Sequence, residues 1–169
     1  MKSLVEFMGL KASLKIIGFS FIILILGCSR SPDLPTPEKI GEKERVAEIT
    51  GKQAAQVVDK MHGLSVATRA NVIAEYGRDK KDLLFISRYS DQTEAHKAFD
   101  LMIEKMTAAK NGPFFHLMPL GQYDNKVYMT LGMGAMHYIY LSGQSLLWLQ
   151  TYQSFGKKLP RRLLQLYPI

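Results

Sequence analysis

Apolar residues recur at helical intervals just beyond a charged stretch, and they predict the first helix of the folded region. The helix begins after Thr50, which stands at capping-box spacing from Gln53, and Gly63 is placed to end it. Its apolar face comprises Ala54, Val57, Val58 and Met61. The charged stretch 37–49 predicts either an extension of this helix or a loose turn in front of it.

A second helical pattern is the clearest in the chain. It starts after Asp91, which has capping-box spacing to Glu94, and it closes at Asn111-Gly112-Pro113. Its apolar face comprises Ala95, Phe99, Met102, Ile103 and Met106. The segment 159–167 predicts a short third helix, because its leucines share one side and its basic residues share the other.

The rest of the folded region favours strands, since aromatic and β-branched residues concentrate in short runs between glycine-bearing turns. The predicted strands are 72–76, 83–89, 114–120, 127–131, 136–141 and 146–152. The order of these elements indicates an α+β domain with helices packed on one face of an antiparallel sheet. A ferredoxin-like arrangement is the topology we expect.

The first 27 residues have the composition of a secretory signal peptide. A head with three lysines and one acid precedes an apolar run at 16–26, which Gly18 and Ser20 interrupt. A membrane-spanning helix needs roughly 20 apolar residues, so this run is too short to cross a bilayer comfortably. The sequence therefore predicts export rather than a spanning anchor.

The residues Ile25-Leu26-Gly27-Cys28 at the end of this run resemble the lipobox of bacterial lipoproteins. Gly27 and Cys28 fit that pattern, whereas Ile25 and Leu26 are variants of its first two places. The resemblance implies cleavage after Gly27 and a diacylglyceryl thioether on Cys28, which is the single cysteine of the chain. Acylation of the new amino group would supply a further chain, and two or more chains anchor stably. Cleavage elsewhere, or an uncleaved anchor, is the alternative.

The chain is accordingly divided into a signal peptide at 1–27, a lipidated cysteine with a proline-rich tether at 28–41, and one α+β domain at 42–169. The prolines favour extended backbone, and the tether reaches at most roughly 40 Å at about 3.3 Å per residue. The resemblance covers only the first 28 positions and assigns no family to the mature domain.

The same resemblance predicts where the protein resides. It implies a lipid-anchored protein of the cell envelope that faces the periplasm. Ser29 follows the cysteine where an aspartate would retain the protein at the inner membrane, so enteric-type sorting favours the outer membrane. The net charge of +7 suits anionic surfaces. We expect no nucleic-acid partner, because the basic residues are not interleaved with aromatics in the way that single-strand grooves require.

Motifs that carry catalysis are absent from the sequence: it contains no Gly-x-Ser-x-Gly, no His-Glu-x-x-His and no Cys-x-x-Cys-His. We therefore predict a protein that is not an enzyme and that needs no cofactor. One cluster of soft ligands, Met129, Met133, Met136 and His137, is of the type that binds Cu(I) or haem iron. Core filling is the commoner role of methionine, and a glycine-rich turn at 132–134 interrupts the alternation that would align these side chains.

Two functions follow from the sequence. The first is a membrane-anchored lipoprotein that acts as a binding or assembly module of the bacterial envelope, with the membrane as one partner and an envelope protein as another. The alternative is an envelope protein that handles a metal or haem through Met129, Met133 and His137. A hydrolase with an unrecognised site is a weaker third.

Overall fold

A computed structural model describes residues 34–62, 68–109 and 111–169. The signal peptide, Cys28 and the first part of the tether lie outside these ranges, as does Gly63. The elements in chain order are β1 (Lys39–Ile40), β2 (Lys43–Thr50), α1 (Gly51–His62), β3 (Ala70–Tyr76), β4 (Asp82–Arg88), α2 (Gln92–Ala108), β5 (Phe114–Pro119), a 3-10 turn (Gly121–Tyr123), β6 (Val127–Gly132), β7 (Ala135–Ser142), β8 (Ser145–Thr151) and α3 (Arg161–Leu166).

The strands described here join in one antiparallel sheet of order β1-β2-β3-β4-β8-β7-β6-β5, which curls into a half-barrel. The predicted α+β class with an antiparallel sheet is therefore confirmed. The ferredoxin-like arrangement is not confirmed, because that topology consists of split βαβ units. Here β2 and β3, which flank α1, pair directly and run antiparallel.

The sheet is apolar on both faces, since successive residues of its central strands point in opposite directions. On one face Tyr138 and Tyr140 pack in a core that includes Leu163 of α3. On the other face Ile139 packs in a second core with Phe99 of α2. The prediction that helices cover only one face is therefore wrong: α2 and α3 lie on opposite sides because both faces carry apolar side chains.

Most of the predicted elements are present. α1 and α2 occupy their predicted stretches, and Asp91 caps α2 by accepting a 2.9 Å hydrogen bond from the backbone N–H of Glu94. The six predicted strands appear as β3 to β8, and α3 lies within 159–167. Apart from β5, which has no buried residue, the strands among these segments bury apolar side chains, which is why their pattern is visible in the sequence.

The segment 37–49 differs from both of its predicted forms. It forms the hairpin β1–β2, and none of the residues of β2 is buried. A strand with no buried face has no alternation of apolar and polar residues, so nothing in its sequence marks it. Its conformation comes from backbone pairing with the edge of β3, from Arg45–Tyr76 to Thr50–Val72.

The described part of the tether also packs against the sheet. Leu34 and Ile40 belong to the same core as Tyr138, and Ile40 is completely buried. The packed unit consequently extends back at least to Leu34, rather than beginning at residue 42. The spacer between Cys28 and this unit is shorter than the sequence indicates.

Candidate functional site

An open groove of about 980 Å³ lies between the chain's first described residues and its last helix. One wall consists of residues 35–41, which we call the N-terminal arm. The other wall runs from Ser154 to Leu166 and includes α3. The floor is largely apolar, and the rim carries four basic side chains, so we call this feature the basic groove. Those four side chains are Lys39, Lys158, Arg161 and Arg162.

Buried tyrosine hydroxyls hold the arm in place. Tyr76 has no exposed surface, and its hydroxyl donates a 2.9 Å hydrogen bond to the carbonyl of Pro37. Gln153 binds the end of the arm from both sides of its amide: its Nε2 donates to the carbonyl of Ile40 at 3.1 Å, and its Oε1 accepts from the N–H of Glu42 at 2.8 Å. These hydrogen bonds hold the arm by its backbone, and the hydroxyl of Thr36 adds side-chain hydrogen bonds with Arg45 and Glu48.

The second wall is held in the same way. The hydroxyl of Tyr138 donates to the carbonyl of Gly156 at 2.5 Å, and the hydroxyl of Tyr123 accepts from the N–H of Leu159 at 2.8 Å. Tyr140 donates to the carbonyl of Tyr167 at 3.2 Å, just beyond α3. Burial raises the pKa of Tyr138 to about 12, so this hydroxyl keeps its proton and stays a donor at neutral pH.

A buried carboxylate links both walls to the centre of the sheet. The side chain of Asp82 is fully buried, and its Oδ1 accepts from Lys43 Nζ at 2.7 Å and from the N–H of Tyr152 at 2.9 Å. Its Oδ2 accepts from Thr151 Oγ1 at 2.7 Å and from Gln153 Nε2 at 2.6 Å. Burial opposes ionisation, but these four donors outweigh it and lower the pKa of Asp82.

The rim of the groove is positively charged. Lys39, Lys158, Arg161 and Arg162 are all exposed, and the acid that lines the groove with them is Glu38. Within the described parts of the chain, none of the four basic side chains forms an ion pair. The sequence from Lys157 to its last residue contains no acid. The groove therefore offers a net positive charge, four basic side chains against one acid, beside an apolar floor.

The proposed soft-ligand cluster is not assembled. Met133 and Gly134 form the two-residue turn between β6 and β7, and both have positive φ, 51° and 74°. The register that this turn sets places Met129 opposite Tyr138, so Met129 and His137 project from opposite faces of the sheet. Met129 packs against the first core, whereas Met133 is 69% exposed at the tip.

His137 has a different role. It is almost completely buried, and its Nδ1 accepts a 2.9 Å hydrogen bond from Trp148 Nε1, which can only donate. The proton of the ring is therefore on Nε2, which donates to the carbonyl of Gly132 at 3.0 Å. Phe114 and Trp148 pack edge-on against the ring, and its burial lowers the pKa of His137. Both nitrogens are engaged, so neither faces a ligand.

Sequence reasoning missed half of the groove. The basic residues of α3 are visible as one side of an amphipathic helix, but the sequence predicts that Pro35, Pro37 and Lys39 belong to the spacer. The signal that distinguishes the arm from a free spacer is the pair of apolar residues Leu34 and Ile40, which occupy the core. Because these two side chains are buried in the core, the arm lies alongside α3 and forms one wall of the groove.

Within the described ranges, no helix is both long and apolar enough to span a bilayer, and no three His, Cys, Asp or Glu side chains are grouped to bind a metal ion. No protein-family model matches the chain, and no curated protein or solved structure is significantly similar to it. The basic groove and its position near the tether are the features of the molecule from which a function is inferred.

Proposed function

We propose that this protein is an exported lipoprotein of the bacterial cell envelope, held to a membrane by a thioether on Cys28. Its domain faces the periplasm and acts as a binding or assembly module, with the outer membrane as its favoured location. In this role it is not an enzyme. One observation supports the proposal most directly: the basic groove is lined by residues 35–41, which are close in sequence to Cys28.

The length of the connection supports this arrangement. Leu34 is packed in the core, and only residues 29–33 separate it from Cys28. At about 3.3 Å per residue, this connection spans at most roughly 20 Å. A lipidated Cys28 would therefore hold the near end of the groove within roughly 20 Å of the bilayer surface, where it can meet membrane components and membrane-bound proteins.

The form of the groove supports a module that binds. Hydrogen bonds between the backbone of its two walls and the side chains of tyrosines and Gln153 fix the groove, so the site is largely formed before any partner arrives. A site that is already ordered loses less conformational entropy on binding than a mobile one. An apolar floor with a charged rim is the composition that binding sites commonly combine.

Cys28→Ser tests the anchor. We expect the variant to leave the membrane fraction and to accumulate unprocessed or soluble, because without a thiol there is no thioether. Ser29→Asp is the matched variant: it keeps the lipid, and under enteric-type sorting it should move the protein from the outer to the inner membrane. Membrane fractionation in which Cys28→Ser behaves like the parent protein would refute the anchor.

Crosslinking in native membranes tests the module. Mild crosslinking followed by purification should yield a stoichiometric envelope protein, and substitution of residues that line the groove should reduce its yield. Substitutions on α1, such as Lys52→Gln, provide the control, because α1 does not line the groove. Repeated absence of any partner or ligand would contradict this part of the proposal.

A further inference from the structure

We propose that the basic groove docks on the headgroups of anionic phospholipids, so that the domain lies against the membrane surface and does not stand clear of it. This inference rests on the proposed function for its orientation, since the anchor on Cys28 determines which end of the domain approaches the bilayer. It adds a second membrane contact, made by the folded domain itself.

Charge is the first argument. The four basic residues of the rim come from both walls: Lys39 from the arm, and Lys158, Arg161 and Arg162 from the segment that includes α3. They are exposed and form no ion pair among the described residues. Other basic residues do have acidic partners, as in the pairs Lys43–Asp82 and Lys97–Glu94. The groove thus gathers four basic side chains from two separate segments and one acid, Glu38, which leaves it a net positive charge.

The apolar groups beside these charges are the second argument. Leu166 lines the groove and is 41% exposed, and Ile169 near the end of α3 is 40% exposed. A short helix with exposed leucine and flanking arginines suits the interface, where apolar groups enter the headgroup region and basic groups meet phosphates. Pure charge attraction to a soluble polyanion would not require these exposed apolar side chains.

The position of the tether is the third argument. The arm that forms one wall begins at Pro35, seven positions after Cys28, so a lipid on Cys28 would enter the bilayer close to the groove. The anchor holds the groove at a high local concentration of headgroups, and each additional weak contact is then favoured by the tethering already present. This geometry selects membrane lipid as the occupant over a soluble anion.

Vesicle binding of the mature chain that carries Cys28→Ser isolates this contact, because no thioether contributes. The probe is a vesicle of equimolar phosphatidylcholine and phosphatidylglycerol, compared with one of phosphatidylcholine alone. Sedimentation should show binding to the anionic vesicles and much weaker binding to the neutral ones. Each basic residue near an anionic surface strengthens binding about fivefold, so R161Q/R162Q should weaken it by about 30-fold at low salt.

Two further variants make the test specific. K39Q/K158Q removes the same charge from both walls without touching α3, and it should weaken binding by a similar factor. K52Q/K60Q removes the same charge from exposed positions on α1, and it should change binding by less than about threefold. Circular dichroism and the melting temperature of each variant show whether it is folded.

The outcomes separate this inference from the anchor. Equal binding to neutral and anionic vesicles, or equal loss in K52Q/K60Q and R161Q/R162Q, would overturn docking through the groove even if Cys28 is lipidated. Displacement of the protein from anionic vesicles by low concentrations of soluble glycerol phosphate, with the ionic strength held constant, would also overturn it. The occupant of the groove would then be a free anion. Anion-dependent binding that only the groove variants lose supports it, whatever the state of Cys28.

Discussion

Asp82→Asn perturbs the contact that links the arm, β4 and β8, and it changes almost no volume. Asp82 is buried and accepts four hydrogen bonds, two on each carboxylate oxygen. In the amide, one oxygen becomes an NH₂ group, which cannot accept. With the NH₂ group in the place of Oδ1, Lys43 Nζ and the N–H of Tyr152 both face a donor. With the NH₂ group in the place of Oδ2, Gln153 Nε2 faces a donor, whereas the Thr151 hydroxyl can rotate and accept.

The expected loss follows from that count. A buried donor left without its acceptor costs about 1–3 kcal/mol, so the expected loss is about 2–6 kcal/mol in the first orientation and about 1–3 kcal/mol in the second. The free-energy cost at Lys43 is at the lower end of this range, because its side chain is 22% exposed and its ammonium group can turn to water. The loss is large against the roughly 5–15 kcal/mol that stabilises a typical domain.

The effect should depend on pH. The pKa of Asp82 is below its ordinary value of 3.8 in the folded chain, so the unfolded chain binds a proton first as pH falls. The stabilisation by Asp82 is therefore fully present above about pH 4, and it is lost as pH falls through the lowered pKa. The asparagine variant lacks this titration, so the two proteins should converge in stability in acid.

Urea unfolding of the mature chain, followed by circular dichroism at neutral pH and at several acidic values, measures both effects. Asp79→Asn is the matched control, since Asp79 is exposed in the turn between β3 and β4. We expect the control to change the free energy of unfolding by less than about 0.5 kcal/mol. A similarly small change in Asp82→Asn, or a loss that is constant across the acidic range, would refute the reasoning.

Four further predictions concern the His137 region and metal. Trp148→Phe leaves the buried Nδ1 of His137 without a donor and should reduce stability by about 1–3 kcal/mol in urea unfolding. The ring signals of His137 should titrate below pH 6.5 by NMR, and its contribution to stability should be lost as pH falls through that lowered pKa. Gly132→Ala places a Cβ within 2.6 Å of the carbonyl of Pro113 and should destabilise by about 1–3 kcal/mol, whereas Gly121→Ala meets open space. Protein purified without added metal should be colourless and free of stoichiometric copper or iron.

The elements that the sequence predicts well are those with one buried side. α2 is an example: its apolar residues recur at helical spacing, and Asp91 caps it in the manner its spacing to Glu94 indicates. β2 is the opposite case, because its side chains are exposed on both faces and its form depends on the backbone of β3. A pattern of side chains carries no information about such a strand.

The candidate site was harder to predict because it joins two ends of the chain. The basic side of α3 is visible as a local pattern, but its partner wall is visible only once Tyr76 is known to bind Pro37. No local rule pairs a tyrosine with a carbonyl 39 positions earlier. The predicted cluster of metal ligands is not formed, for a related reason. The turn at Met133 sets a register in which Met129 and His137 lie on opposite faces of the sheet.

Intact-mass measurement of the protein isolated from its native membranes tests the central claim most directly. The account predicts a polypeptide that begins at Cys28 and carries the added mass of a diacylglyceryl group on sulfur, with an acyl group on the new amino terminus. A polypeptide that retains residues 1–27, or one in which Cys28 bears an unmodified thiol, would contradict it.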